Sequence, residues 1–141
     1  MEQTFTEPSE EEYTQLAKMW MAAESLIKEE YSYSLGQTPE DLIYLQKVID
    51  DDLLGNDNEY GFYCLGTALG RLLANSVEGL DWWSVEDEYG KDTIIRYLDT
   101  SFSVNVIPLI WRRVIEEPVT DINSLYTWIL DQKDEYINET R

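Results

Sequence analysis

The stretch Leu80-Asp81-Trp82-Trp83-Ser84-Val85-Glu86-Asp87-Glu88-Tyr89-Gly90-Lys91-Asp92-Thr93-Ile94-Ile95-Arg96-Tyr97-Leu98 decides the fold. Leu80 to Val85 carries two adjacent tryptophans and favours a strand. Asp87-Glu88-Tyr89-Gly90 supplies a turn, with a glycine free to take positive φ. Thr93 to Leu98 is rich in β-branched and aromatic residues and reads as a second strand. After a turn at Asp99-Thr100, Phe102, Val104 and Val106 alternate as a third. The expectation is a three-stranded antiparallel meander.

Helical patterns flank this segment on both sides. Upstream, Ser9-Glu10-Glu11-Glu12 reads as a capping box: the Ser9 hydroxyl satisfies the Glu12 amide and the Glu12 side chain reaches back. Tyr13, Leu16, Ala17, Trp20, Ala23, Ile27 and Tyr31 follow at helical spacing. Met19, Met21 and Leu26 lie off that stripe, so the helix has more apolar surface than one face can bury. Residues 1–8 read as a frayed lead-in. Thr38 is expected to cap a second helix with Pro39 at its first position. Leu42, Leu45, Ile49 and Leu53 form its inner stripe, and Gly55 is its expected left-handed terminator. Asn58 opens a third helix with Tyr60, Cys64, Leu65, Ala68, Leu69, Leu72 and Leu73. Gly66 and Gly70 leave a bare strip on it, where another backbone can approach closely. Downstream, Pro108 opens a short helix over 109–117 that Pro118 stops. Asp121 caps a last one bearing Ile122, Leu125, Ile129, Gln132 and Tyr136. Strands and helices are segregated, so the class is α+β, in a single domain over 1–141.

Composition removes whole classes of chemistry. The 141 residues include no histidine and one cysteine, Cys64. Triads built on histidine, His-ligated zinc and thiolate zinc clusters are therefore absent, as is an intramolecular disulfide. Met1-Glu2-Gln3-Thr4-Phe5 lacks the basic and apolar regions of a secretory signal, and no apolar run approaches the ~18 residues of a membrane span. A lone thiol fits a reducing compartment, so the expected location is the cytoplasm. Ser25-Leu26-Ile27-Lys28 has the Ser-x-x-Lys spacing of penicillin-recognising enzymes but lacks their companion motifs. An EF-hand reading from Asp50 fails, because the twelfth position is Gly61.

The net charge is −19, from 29 acidic and 10 basic side chains. Of this, −12 falls in residues 1–60 and −7 in residues 61–141. Such a chain repels nucleic-acid phosphates and anionic membranes and attracts basic proteins. Asp50-Asp51-Asp52 is expected in the last turn of the second helix, against the negative end of its dipole, with Asp57 and Glu59 following. On a strand Trp82 and Trp83 point to opposite faces, so one of them is exposed beside Asp87 and Glu88 unless the sheet is covered on both sides. The candidate partner-binding set is Asp50, Asp51, Asp52, Asp57, Glu59, Trp20, Trp82, Trp83, Asp87, Glu88 and Tyr89, with no catalytic residue, metal ligand or cofactor. The plain alternative for these carboxylates is a solvated surface.

From Leu65 to about Leu130 the chain resembles an uncharacterised bacterial family, domain of unknown function 3806. Leu65-Gly66-x-x-x-Gly70, Trp82 or Trp83, Asp87-Glu88-Tyr89-Gly90, Ile107-Pro108 and Arg112-Arg113-Val114 carry the resemblance. It implies a small bacterial α+β domain and brings no activity with it.

The expected function is non-catalytic: an acidic protein-binding module of the immunity or antitoxin type that occludes a basic partner such as a toxin, with no nucleic acid or membrane involved. The alternatives are a carboxylate-based hydrolase assisted by Mg²⁺ at Asp50, Asp52 and Asp57, and a homodimeric scaffold joined through the first helix.

Overall fold

The computed structural model describes residues 3–117 and 119–140. Pro118, expected to stop the fourth helix, lies outside the described residues, as do Met1 and Glu2 of the lead-in. The order is β1 (Thr4–Thr6), α1 (Glu10–Tyr31), α2 (Asp41–Asp50), α3 (Glu59–Ser76), β2 (Leu80–Asp87), β3 (Gly90–Tyr97), β4 (Ser103–Val104), α4 (Leu109–Glu116) and α5 (Ile122–Glu139). The class is α+β. The strands form one antiparallel sheet in the order β1-β2-β3-β4.

The sheet has four strands where three were expected. Thr4–Thr6 is no frayed lead-in: Phe5 pairs with Val85 and Thr6 with Ser84. Three residues are too few for alternation to signal a strand, and the pairing depends on a free edge of β2 more than 75 residues away. The third expected strand is shorter than its pattern. Only Ser103 and Val104 pair with β3, because the chain then turns inward and lays the Val106 and Ile107 carbonyls on α3.

Helix α3 is the centre of the molecule. From Phe62 to Leu73 only Tyr63 and Arg71 escape full burial. A side chain at Gly66 would overlap the Ile107 and Val106 carbonyl oxygens, and one at Gly70 would overlap the Trp82 indole and Val106. The two glycines thus set how near α3 comes to the sheet and to the segment that opens α4. Met19 and Trp20 of α1 meet Thr67 and Arg71 of α3. Leu80, Trp82 and Ile95 close the same core from the sheet, and Ile110, Ile122, Leu125 and Ile129 close it from α4 and α5.

Most expected helix ends hold. Ser9 and Glu12 form the capping box. Asn58 caps α3 through the Gly61 amide, and Asp121 caps α5 through the Ser124 amide. The ends of α2 differ. The helix begins at Asp41, after a tight turn in which the Asp41 amide donates to the Thr38 carbonyl at 2.9 Å, so Thr38 contributes main chain and not a hydroxyl cap. Its terminator is Asp52 at φ 54°, not Gly55. The Asp52 amide reaches the Ile49 carbonyl at 3.0 Å and the Leu53 amide reaches the Val48 carbonyl at 3.2 Å, which is the left-handed helix stop that an aspartate can also adopt.

Glu12 joins α1 to the sheet. Its carboxylate accepts the Thr93 hydroxyl at 2.5 Å and the Ser9 amide at 3.2 Å, and it pairs with Lys91 at 3.3 Å. Burial pushes this carboxyl up, but the bonds from Thr93, Ser9 and Lys91 together outweigh it and hold the pKa below the ordinary glutamate value.

Two predictions follow from these contacts. Gly66→Ala lowers unfolding free energy by about 2 kcal/mol despite the better helix propensity of alanine, read as a shift in the urea midpoint. A carboxyl lowered in the folded state adds stability above its unfolded pKa and loses it as pH falls through the folded value. The gap in melting temperature between the native chain and Glu12→Gln is therefore open at neutral pH and closes below about pH 4.

Candidate functional site

A groove of about 720 Å³ lies between α2 and the start of α5. Its walls are apolar at Pro39, Leu42, Ile43 and Val119, and its rim carries Lys47 and the carboxylates of Asp50 and Asp121. Ile43 is 55% exposed and Val119 77% exposed, so both present apolar surface to whatever enters. The volume and the few polar groups fit an ordinary binding cleft.

Gln46 builds the floor. Its amide nitrogen donates to the Thr120 carbonyl at 2.9 Å and to Asp50 at 2.9 Å, while its oxygen accepts the Ile122 amide at 2.7 Å. One side chain thus ties α2 to the first turn of α5 and turns the Asp50 carboxylate toward the groove.

The other side of α2 is a tyrosine cluster. Tyr33 and Tyr44 stack at 3.8 Å with 9° between their planes, and Tyr31 tilts against Tyr44 at 6.0 Å. Lys47 lies over Tyr31 and Tyr44 at 5.6 and 5.4 Å. Beneath them Asp41 is buried and accepts the Tyr33 hydroxyl at 2.7 Å and the Gly36 and Gln37 amides at 3.0 and 2.8 Å. The Tyr31 hydroxyl donates to Asp51 at 2.5 Å. Burial first, then this bond to Asp51, pushes the Tyr31 phenol up to about 12.

The candidate residues disperse in three dimensions. Asp50 faces the groove. Asp51 is held by Tyr31, and Asp52 forms the helix stop. Asp57 is exposed, and Glu59 accepts the Tyr63 hydroxyl. Asp50, Asp52 and Asp57 do not converge, and among the described residues no three His, Cys, Asp or Glu side chains come together as a metal site. Asp87, Glu88 and Tyr89 form the closing turn of the β2–β3 hairpin, with Tyr89 89% exposed.

The tryptophans correct the sequence reading. Trp82 is buried against Gly70 and leaves the candidate set. Trp83 points to the other face, as strand alternation requires, but lies under its own cation. The Arg96 guanidinium sits 4.4 Å from the Trp83 ring and 3.9 Å from Phe5, and donates to the Thr100 and Asp99 carbonyls at 2.5 and 2.7 Å. Trp20 is likewise covered, by Arg71 at 4.5 Å.

That arrangement recurs. Arg113 lies over Trp128 and Lys133 over Tyr97. Five of the chain's ten basic residues therefore rest on aromatic rings. Among the described residues the ion pairs are Lys91–Glu12, Arg113–Glu117 and Lys133–Asp134. Most carboxylates thus have no cation beside them.

Sequence reading missed Ile43, Gln46, Val119 and the exposed Trp128. Ile43 follows Leu42 in the apolar pattern of α2 and Val119 stands alone between Pro118 and Thr120, and nothing in their spacing marks them as a surface. Gln46→Ala lowers stability by roughly 2 kcal/mol, because two main-chain groups lose their partner, as chemical denaturation will show.

No curated protein matches the chain. A solved structure of a protein from Bacteroides thetaiotaomicron superposes with a TM-score of 0.85 at 20% identity, over 94% of this chain and 48% of that one. The chain spans about half the length of that protein, and the likeness is one of fold. The family described as Domain of unknown function (DUF3806) matches residues 41–126, which run from the buried Asp41 through α3 and the hairpin into α5. The chain belongs to this family.

Proposed function

We propose that the protein is a non-catalytic, acidic protein-binding module that occludes a basic partner, in the manner of an immunity or antitoxin protein. The observation that carries this is where the cations go. Arg71, Arg96, Arg113, Lys47 and Lys133 lie on aromatic rings, and among the described residues only Arg113 and Lys133 of these also pair with a carboxylate, so few of the acids behind the net −19 have a cation beside them. A surface of that sign accelerates encounter with a cationic protein.

The α2–α5 groove supplies what charge alone lacks. Affinity comes mainly from a few apolar or aromatic anchors in a desolvated pocket, ringed by polar groups. Ile43, Val119 and Leu42 form such a pocket, with Asp50 and Asp121 on its rim beside a Lys47 that already lies over Tyr31 and Tyr44. It suits an apolar side chain flanked by lysine or arginine. A cytoplasmic setting suits the buried, unpaired Cys64.

The test is capture of partners from the cells that make the protein. A basic protein is retained at roughly 0.05 M salt and released at roughly 0.5 M, where exposed charges are screened within a few ångströms. Ile43→Glu weakens retention roughly tenfold while changing stability by less than about 0.5 kcal/mol, since Ile43 is a surface position. Retention that ignores both salt and Ile43→Glu overturns the reading.

A further inference from the structure

The two edges of the sheet are treated differently. On the β1 side, β2 extends past its short partner, and the first amide left over, that of Trp82, is taken by the carboxylate of Asp81 at 2.8 Å. The Leu80 amide beyond it is taken by the Val77 carbonyl at 3.2 Å, so this part of β2 already has acceptors for its amides.

The opposite edge is open. The Tyr97 amide donates across the sheet to the Phe102 carbonyl at 3.1 Å. Alternation then puts the amides and carbonyls of Ile95, Thr93 and Lys91 on this same edge, and those of Arg96, Ile94 and Asp92 toward β2. Val104 takes the place opposite Ile95, and there β4 ends. The chain leaves for α3, drawn in by the contact of Val106 and Ile107 with Gly66. Thr93 and Lys91 are left facing a cavity of about 220 Å³, bounded also by Tyr63, Asn105 and Ile107.

The charge around this edge selects the occupant. Asp92 is exposed upon it, Asp87 and Glu88 lie at the hairpin turn, and Glu59 sits one helical turn from Tyr63. Two cations lie nearby: Lys91 is already paired with Glu12, and Arg112 of α4 acts on Tyr63, so the acids outnumber the free cations here. A second copy of this chain would set Asp92 and the hairpin acids against their own kind, at a net −19 each. We infer that an extended lysine- or arginine-bearing segment of the partner adds as a strand to β3 at Lys91 and Thr93. Main-chain bonds hold it, and Asp92 and the hairpin acids choose its charge. This rests on the proposed function only for the sign of the partner's charge.

Amide hydrogen exchange on the full chain tests it. In the free protein the Asp92 and Ile94 amides exchange slowly, while those of Lys91 and Thr93 exchange fast. The capped peptide Lys-Val-Lys-Val-Lys-Val-Lys, added at low salt, slows Thr93 and Lys91 at least roughly tenfold. The same peptide N-methylated at every internal amide keeps its charge and binds roughly tenfold more weakly. Slow exchange at Thr93 in the free protein means that the edge is closed, and the inference fails. Equal binding of the two peptides also overturns strand addition but leaves the charge reading intact. If neither peptide binds at low salt, the charge reading falls and takes this inference with it.

Discussion

Helix α3 lies so close to its neighbours only because Gly66 and Gly70 offer no side chain at the two points of nearest approach. On one the 106–107 backbone rests; on the other, the Trp82 indole. The consequences spread from there. The inward pull on Val106 and Ile107 cuts β4 to two residues and sets where α4 begins. The seat for Trp82 fixes which face of β2 is inside, and therefore places Trp83, Val85 and Arg96 on the other. A glycine pair that weakens a helix in isolation is here what allows the core to close.

The second organising fact is electrostatic. With three times as many acids as bases, the chain would be expected to pair every cation with a carboxylate. It lays five of its cations on tryptophan, tyrosine and phenylalanine rings, and among the described residues only Arg113 and Lys133 of these also pair with a carboxylate. Arg96 is the clearest instance: 8% exposed, without a carboxylate partner, it is satisfied by two main-chain carbonyls and two rings. Arginine suits this role because its planar group is weakly hydrated and stacks well. Trp20 and Trp83 are thereby covered by the protein's own cations, while Tyr89 stays exposed. The acidic surface stays acidic, and Ile43 and Val119 are among the apolar side chains left open.

Much of the fold was legible. The capping box at Ser9-Glu12, the Asn58 and Asp121 caps and the Asp87–Gly90 turn are short-range chemistry, complete within four residues each. The site was far less legible. Asp50, Asp51 and Asp52 looked alike as a charge run, yet one borders a groove, one holds a tyrosine and one stops a helix. Asp41 gave no signal beyond that of a first-turn acid, because its three donors come from the loop before it. Gln46 acts on residues more than 70 positions downstream.

The sequence by itself determined the class, the order of the elements from α1 onward and the sign of the net charge, since these depend on local spacing and composition. Tertiary structure alone decided which carboxylates face a cavity, which cations cover which rings, that Thr4–Thr6 joins the sheet, and that one edge of β3 stays unpaired. Each of those is a contact between residues distant along the chain, and no local pattern records the partner that a side chain or a strand edge will meet.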